Sequence, residues 1–162
     1  MKAIKVNQPA YLNVIGPQIA DFQRMLDLPR VTYESMWEYF RMSIQFGGER
    51  DEFWIVMDDE GKPVAFAHWF VYMSLHVGSI HCDFLYRWGT KDETPIALLI
   101  NEFIEFGRKN HSNHITATFV KEATFRVFRK HLAKKGYDLK KDNTIIASAL
   151  PITKPIVKEE KE

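Results

Sequence analysis

Ile80-His81-Cys82-Asp83-Phe84-Leu85-Tyr86-Arg87-Trp88 opens the stretch that decides the fold, and Lys134-Lys135-Gly136-Tyr137 closes it. The opening residues alternate as a strand does, which predicts His81, Asp83, Leu85 and Arg87 on one face and Ile80, Cys82, Phe84, Tyr86 and Trp88 on the other. Thr94-Pro95 then reads as an N-cap followed by proline at the first helical position. Ile96, Leu99, Ile100, Phe103 and Ile104 continue at helical spacing until near Gly107. Ile115 to Val120 returns to a strand. Ala123 to Lys135 is predicted helical, with Phe125, Phe128 and Leu132 inward and its basic residues outward. Gly136 is the natural left-handed end of that helix.

Upstream, the period changes twice. Ile4 to Val6 reads as a short first strand ended by Asn7-Gln8-Pro9. Ile19, Phe22 and Leu26 recur at helical spacing after Gly16-Pro17, until Pro29 stops them. Tyr33, Met36, Trp37, Phe40 and Ile44 form a stronger stripe behind Thr32 as N-cap, with Gly47-Gly48 as its stop. Phe53 to Met57 and Val64 to Tyr72 then flank Asp58-Asp59-Glu60-Gly61, a hairpin turn between antiparallel strands. Tyr137 to Leu139 and Thr144 to Leu150, joined by Lys140-Lys141-Asp142-Asn143, are expected to make a final hairpin. One domain is expected over residues 1–150, with a charged, proline-interrupted and mobile tail over 151–162.

A chain of 162 residues, 46% hydrophobic and 14% aromatic, has ample apolar area to bury a core. Its net charge of +1 creates no global field that would draw it to nucleic acid or an anionic membrane. Locally the charge is uneven: 121–141 is basic and 49–60 mainly acidic. The single cysteine, Cys82, excludes an internal disulfide and reads as a reduced thiol. No apolar run is long enough for a membrane span, so a soluble cytoplasmic protein is expected.

The order strand, two helices, three antiparallel strands, helix, strand, helix, final strands resembles the GNAT family of acyl-CoA-dependent N-acetyltransferases, over roughly the first 150 residues. Leu132-Ala133-Lys134-Lys135-Gly136-Tyr137 is similar to that family's second motif, and Phe84 to Leu99 to its central strand, loop and helix. The resemblance implies an α/β (α+β) domain: a mixed, mostly antiparallel central sheet with one parallel pair and helices on both faces. It also implies acetyl-CoA or another acyl-CoA as cosubstrate and an amine, on a small molecule or a protein, as acceptor. In such enzymes the backbone of the fourth strand, here Leu85, Tyr86 and Arg87, pairs with the pantetheine arm, and a glycine-rich loop cradles the pyrophosphate.

The overlay of that loop is Lys91-Asp92-Glu93-Thr94-Pro95-Ile96, in which both family glycines are gone. Pro95 lacks an N–H, and Asp92 and Glu93 put negative charge where phosphate should sit. Lys91 and Thr94 remain as the groups implied to meet the cofactor. The family tyrosine that serves as general acid is overlaid by Leu132, with His131 beside it. Acyl transfer needs a base or a base-held water, and His81 and Asp83, two apart on one strand face, are the catalytic candidates. The simpler reading of that pair is structural, satisfied by backbone or Arg87.

His68, His76, His81 and Cys82 cluster in sequence, but alternation separates His81 from Cys82 and no paired ligand spacing occurs, so no metal site is expected. Cys82 is expected in the core. The basic face of 123–135 suits cofactor phosphates, nucleic acid or an acidic partner, and more simply solvent; its phenylalanines face inward, against nucleic acid. Two functions stay open. One is an acyltransferase. The other is a catalytically silent module that binds copies of itself or another protein, for instance in a larger assembly such as a virus particle.

Overall fold

Among the residues described by the computed structural model, 1–74, 77–112, 114–119, 121–139 and 147–151, six strands hydrogen-bond in chain order. They are β1 (Lys2–Val6), β2 (Asp51–Met57), β3 (Pro63–Ser74), β4 (Val77–Arg87), β5 (His114–Thr118) and β6 (Ala147–Pro151). All neighbours are antiparallel except β4 and β5. A parallel pair needs a crossover. Helix α3 (Thr94–Lys109) supplies it.

Helices cover both faces. On one, α1 (Gly16–Leu26), α2 (Tyr33–Phe46) and a 3-10 helix (Pro9–Ile15) bury Leu12, Ile15, Ile19, Phe22, Met36 and Phe40 against Val6, Phe53, Ile55 and Phe66. On the other, α3 and α4 (Glu122–Ala133) bury their predicted stripes against Val56, Ala65, Ala67, Trp69, Ile80 and Cys82. Thr32 caps α2 as expected, in a reciprocal box with Ser35: each backbone N–H donates to the other's hydroxyl, at 3.1 and 2.9 Å. A cap of this kind contributes about 1 kcal/mol. Gly136 is left-handed, with φ of 86°.

Three expectations are corrected. Thr94 is not the N-cap of α3 but its first residue, because the Asp92 carboxylate takes the Thr94 N–H and leaves Glu93 at the cap. Tyr137 to Leu139 is not a strand: Tyr137 and Leu139 are buried in the α3–α4 core as irregular chain. Residues 140–146 of the expected hairpin, and 152–162 of the expected tail, lie outside the described residues. The strict alternation along β4 also fails. His68 pairs with Phe84 and Trp69 with Cys82, so Asp83 is an extra residue with no partner on β3. This β-bulge reverses the sides beyond it. Leu85 joins Cys82 on the α3 face, whereas Phe84, Tyr86 and Trp88 pack on the α1–α2 face.

The end of α2 is tied to β2 by close approach. Gly47 closes the helix with its N–H on the Ser43 carbonyl at 2.8 Å. A Cβ on Gly47 would lie 2.5 Å from that carbonyl and inside contact distance of the Asp51 side chain. Its φ of −66° suits any residue, so the requirement is for space alone. We expect Gly47→Ala to cost about 1–3 kcal/mol of stability through overpacking, read as a lowered urea midpoint with unchanged slope.

Candidate functional site

Beyond the bulge, β4 and β5 part. Their pairing runs from Ser79–His114 to Cys82–Ala117 and stops, although β4 stays paired with β3 as far as Arg87. The Trp88 N–H donates to the Val64 carbonyl. By antiparallel alternation, Tyr86 also turns its amide groups to β3, and Leu85 and Arg87 turn theirs away, toward the opened side. A cavity of about 530 Å³ lies there, between Asp83, Phe84 and Leu85 of β4, Thr118 and Phe119, Lys121 and Thr124 at the start of α4, and α1. A second cavity of about 410 Å³ lies under α2, lined by Val31, Ser35, Met36, Tyr39, Phe70, Asp83 and Phe84. Asp83 and Phe84 belong to both. The bulge is the partition between the two cavities.

Behind that partition sits a buried chain of charge. The His68 side chain is 0% exposed, and its Nε2 lies 2.7 Å from Asp51 Oδ1 and 3.0 Å from Ser43 Oγ. The Ser43 hydroxyl also donates to Asp51 Oδ1. On the other edge of the ring, Nδ1 is 3.5 Å from Asp83 Oδ2, an ion-pair distance rather than a good hydrogen bond. The same oxygen accepts from the Tyr39 hydroxyl at 3.0 Å. Burial works to lower the His68 pKa, but the hydrogen bond of Asp51, the approach of Asp83 and the charges of both outweigh it and raise it above the usual value. Burial likewise works to raise Asp51; its bond to His68, the imidazolium charge and the Ser43 hydroxyl prevail and hold it low. Tyr39 is pushed up by burial and by the Asp83 charge, so it stays a phenol and a donor.

His81, named with Asp83 from the sequence, stands on the same face but outside this chain. Its Nδ1 lies 2.6 Å from Thr116 Oγ1 and its Nε2 3.2 Å from Thr118 Oγ1. Both nitrogens are occupied by β5 hydroxyls, and burial, with the His68 charge adding to it, lowers the pKa against the pull of Asp83. Cys82 is buried, and burial pushes its thiol pKa up. Tyr39, Ser43, Asp51 and His68 were not singled out as site residues from the sequence. The signal for His68 was the presence of one imidazole in an otherwise apolar strand, which has to find charged partners if it is buried.

At the start of α3, the protein's own carboxylates occupy the helix end. Asp92 Oδ1 accepts from the Thr94 N–H at 2.9 Å and its hydroxyl at 2.7 Å. Arg87 donates to the carbonyls of Lys91 and Asp92. Glu93 pairs with Lys130 at 2.7 Å and His131 at 3.1 Å, tying the loop to α4. Lys91 is exposed, and Thr94 gives both its donors to Asp92. Leu85, which lines the cavity between β4 and β5, and Arg87 present strand-like backbone on the opened side. The loop forms no free nest of N–H groups for a diphosphate.

No protein-family model matches the sequence, and no curated protein matches it either. Solved structures do match in shape. A probable acetyltransferase superposes with a TM-score of 0.67 at 12% identity, covering 88% of this chain and 92% of that one. An acetyltransferase of the GNAT family from Staphylococcus aureus gives 0.62 at 10% identity, covering 94% and 99%. The chain has the GNAT fold. An aminoglycoside acetyltransferase in complex with coenzyme A and kanamycin is also similar, with a TM-score of 0.59 at 12% identity and coverage of 93% and 94%. At such identity the GNAT likeness shows the fold alone. Among the described residues no helix is long and apolar enough to cross a membrane, and no group of three side chains is placed to hold a metal ion.

Raised above its ordinary value, the His68 imidazolium adds stability that is fully present below about pH 6.5 and is lost as pH climbs through the folded-state value. Held low, Asp51 adds stability present above its ordinary value of about 3.9 and lost as pH falls through its folded-state value. The chain of charge is fully formed between those limits. In an NMR titration of the imidazole resonances, assigned with His68→Gln and His81→Gln, His68 should titrate above about pH 6.5 and His81 below it. A His68 midpoint at or below the ordinary one would mean that burial outweighs its two carboxylates.

Proposed function

We propose that the protein transfers an acyl group from acyl-CoA to an amine, with Asp83 as the group that takes the amine proton. The observation that carries this reading is the bulge: it sets one carboxylate at the junction of a cleft with strand-like backbone and a second cavity on the far side of Phe84. Acyl-CoA bound in the cleft would supply a thioester whose carbonyl carbon the amine nitrogen attacks, forming C–N as C–S breaks and releasing the thiol, with one proton liberated per ammonium consumed. Leu85 and Arg87 hold the arm by backbone, and Tyr86 shapes the α1 side through its ring. His68, locked to Asp51, supports Asp83 from behind and orients it. His81, bonded to Thr116 and Thr118, holds the point where β5 leaves β4.

A second reading rests on a specific observation of its own. Asp92 occupies the helix start that a diphosphate would need, which favours a module that binds a protein partner or another copy of itself and carries out no transfer. Amine-dependent thiol release from acetyl-CoA separates the two. We expect measurable release, reduced roughly 10²–10⁴-fold in kcat/KM by Asp83→Asn, the range for loss of a general base. Absence of both thiol release and coenzyme A binding at millimolar concentration would leave the binding-module reading standing. Asp92→Ala frees the Thr94 donors and removes a like charge, and should tighten coenzyme A severalfold in calorimetry without altering the affinity for pantetheine.

A further inference from the structure

The cavity under α2 has a composition that selects among amines. Val31, Met36, Phe70 and Phe84 make its walls apolar, Tyr39 adds a ring, and the polar lining is Ser35 and Asp83. Among the described residues Asp83 is its one charged group, and no lysine or arginine lines it. The carboxylate is not spent: Tyr39 and His68 both approach Oδ2, and among the described residues Oδ1 has no hydrogen-bond partner. Behind it, Asp51, His68 and Asp83 sum to a single negative charge when His68 is protonated, because Asp51 is committed to the imidazolium. The Asp83 side chain is 24% exposed, open enough to be reached and shielded enough for a charge to count.

We propose that this cavity takes a primary monoamine with an apolar body, an arylalkyl or alkyl ammonium, whose one positive charge meets Asp83 and whose body lies on Val31, Met36, Phe70 and Phe84. This rests on the reading of the same site as an acyl-acceptor pocket. The rings of Tyr39, Phe70 and Phe84 line the same cavity as the carboxylate and would add cation–π attraction to the ion pair. A polyamine or aminoglycoside would find no second carboxylate among the described lining residues for its further charges, and less apolar body to lay on these walls. An amino acid or amino sugar phosphate would bring an anion that no cation among the described lining residues can meet.

Calorimetry without any acyl donor tests this directly, using 2-phenylethylamine, its neutral analogue 2-phenylethanol, spermidine, kanamycin and glucosamine 6-phosphate. We expect 2-phenylethylamine to bind at least about tenfold more tightly than each of the others, and Asp83→Asn to erase that preference over the alcohol. Val31→Trp, which adds bulk to the cavity at a residue outside the charge chain, should weaken 2-phenylethylamine while leaving methylamine unchanged. Equal binding of amine and alcohol to the native protein, tighter binding of spermidine or kanamycin, or indifference to Val31→Trp would overturn the assignment. The outcome is separable from that of the transfer reaction: selective binding without thiol release upholds the pocket and removes the acyltransferase, whereas preferential acylation of a polyamine or amino sugar does the reverse.

Discussion

One additional residue in β4, opposite the His68–Trp69 step of β3, governs most of what this protein presents to a ligand. In a regular ladder Asp83 would have a partner on β3 and Leu85 would share a face with His81. The bulge leaves Asp83 unpaired on the α2 face that it shares with His81, and exchanges the sides of every later residue. It also bends the strand where β5 ceases to follow it. The amides of Leu85 and Arg87 are thereby left without a partner on β5, and Leu85 lines the cavity that opens there.

A carboxylate at such a point needs support, because ionised groups are costly to shield from water unless paired. That support is assembled from three segments. His68 comes from the middle of β3, Asp51 from the start of β2, and Tyr39 and Ser43 from one face of α2, four residues apart. Replacing any one member with an apolar residue leaves the others as buried, unmatched charge or donors, so the group is held as a unit. Gly47 permits the arrangement, since only the absence of a side chain lets the end of α2 lie against Asp51. The approach of a helix end to a strand thus sets the protonation of an imidazole that never touches solvent.

The other end of the cleft has been built differently. Helix N-termini attract anions, and here the anion is supplied internally by Asp92 while Glu93 is drawn off to Lys130 and His131 of α4. Much of the basic face of α4 is likewise engaged with nearby acids, Arg126 with Glu122 and Arg129 with Asp138. Among the described residues, these exposed pairs neutralise part of the charge of that face and contribute little stability. An acyl donor would have to be recognised mainly through its arm.

Local pattern was enough to place the four α-helices and most of the strands, because apolar spacing, Thr32 as a cap, Gly47 and Gly136 as stops, and the Asp58–Gly61 turn each act within a few residues; it misplaced Tyr137 to Leu139 and did not show the 3-10 helix. The mixed sheet and its GNAT order were legible for the same reason. Asp83 could be singled out as a lone carboxylate on a central strand, but its neighbours could not: Tyr39, Asp51 and His68 lie up to 44 residues away and meet only when α2 is laid across β2, β3 and β4. The bulge was invisible because it changes no residue type, only which face each residue takes. Side-chain alternation is a property of the chain by itself, whereas its phase is decided by the neighbouring strand, and the site depends on that phase.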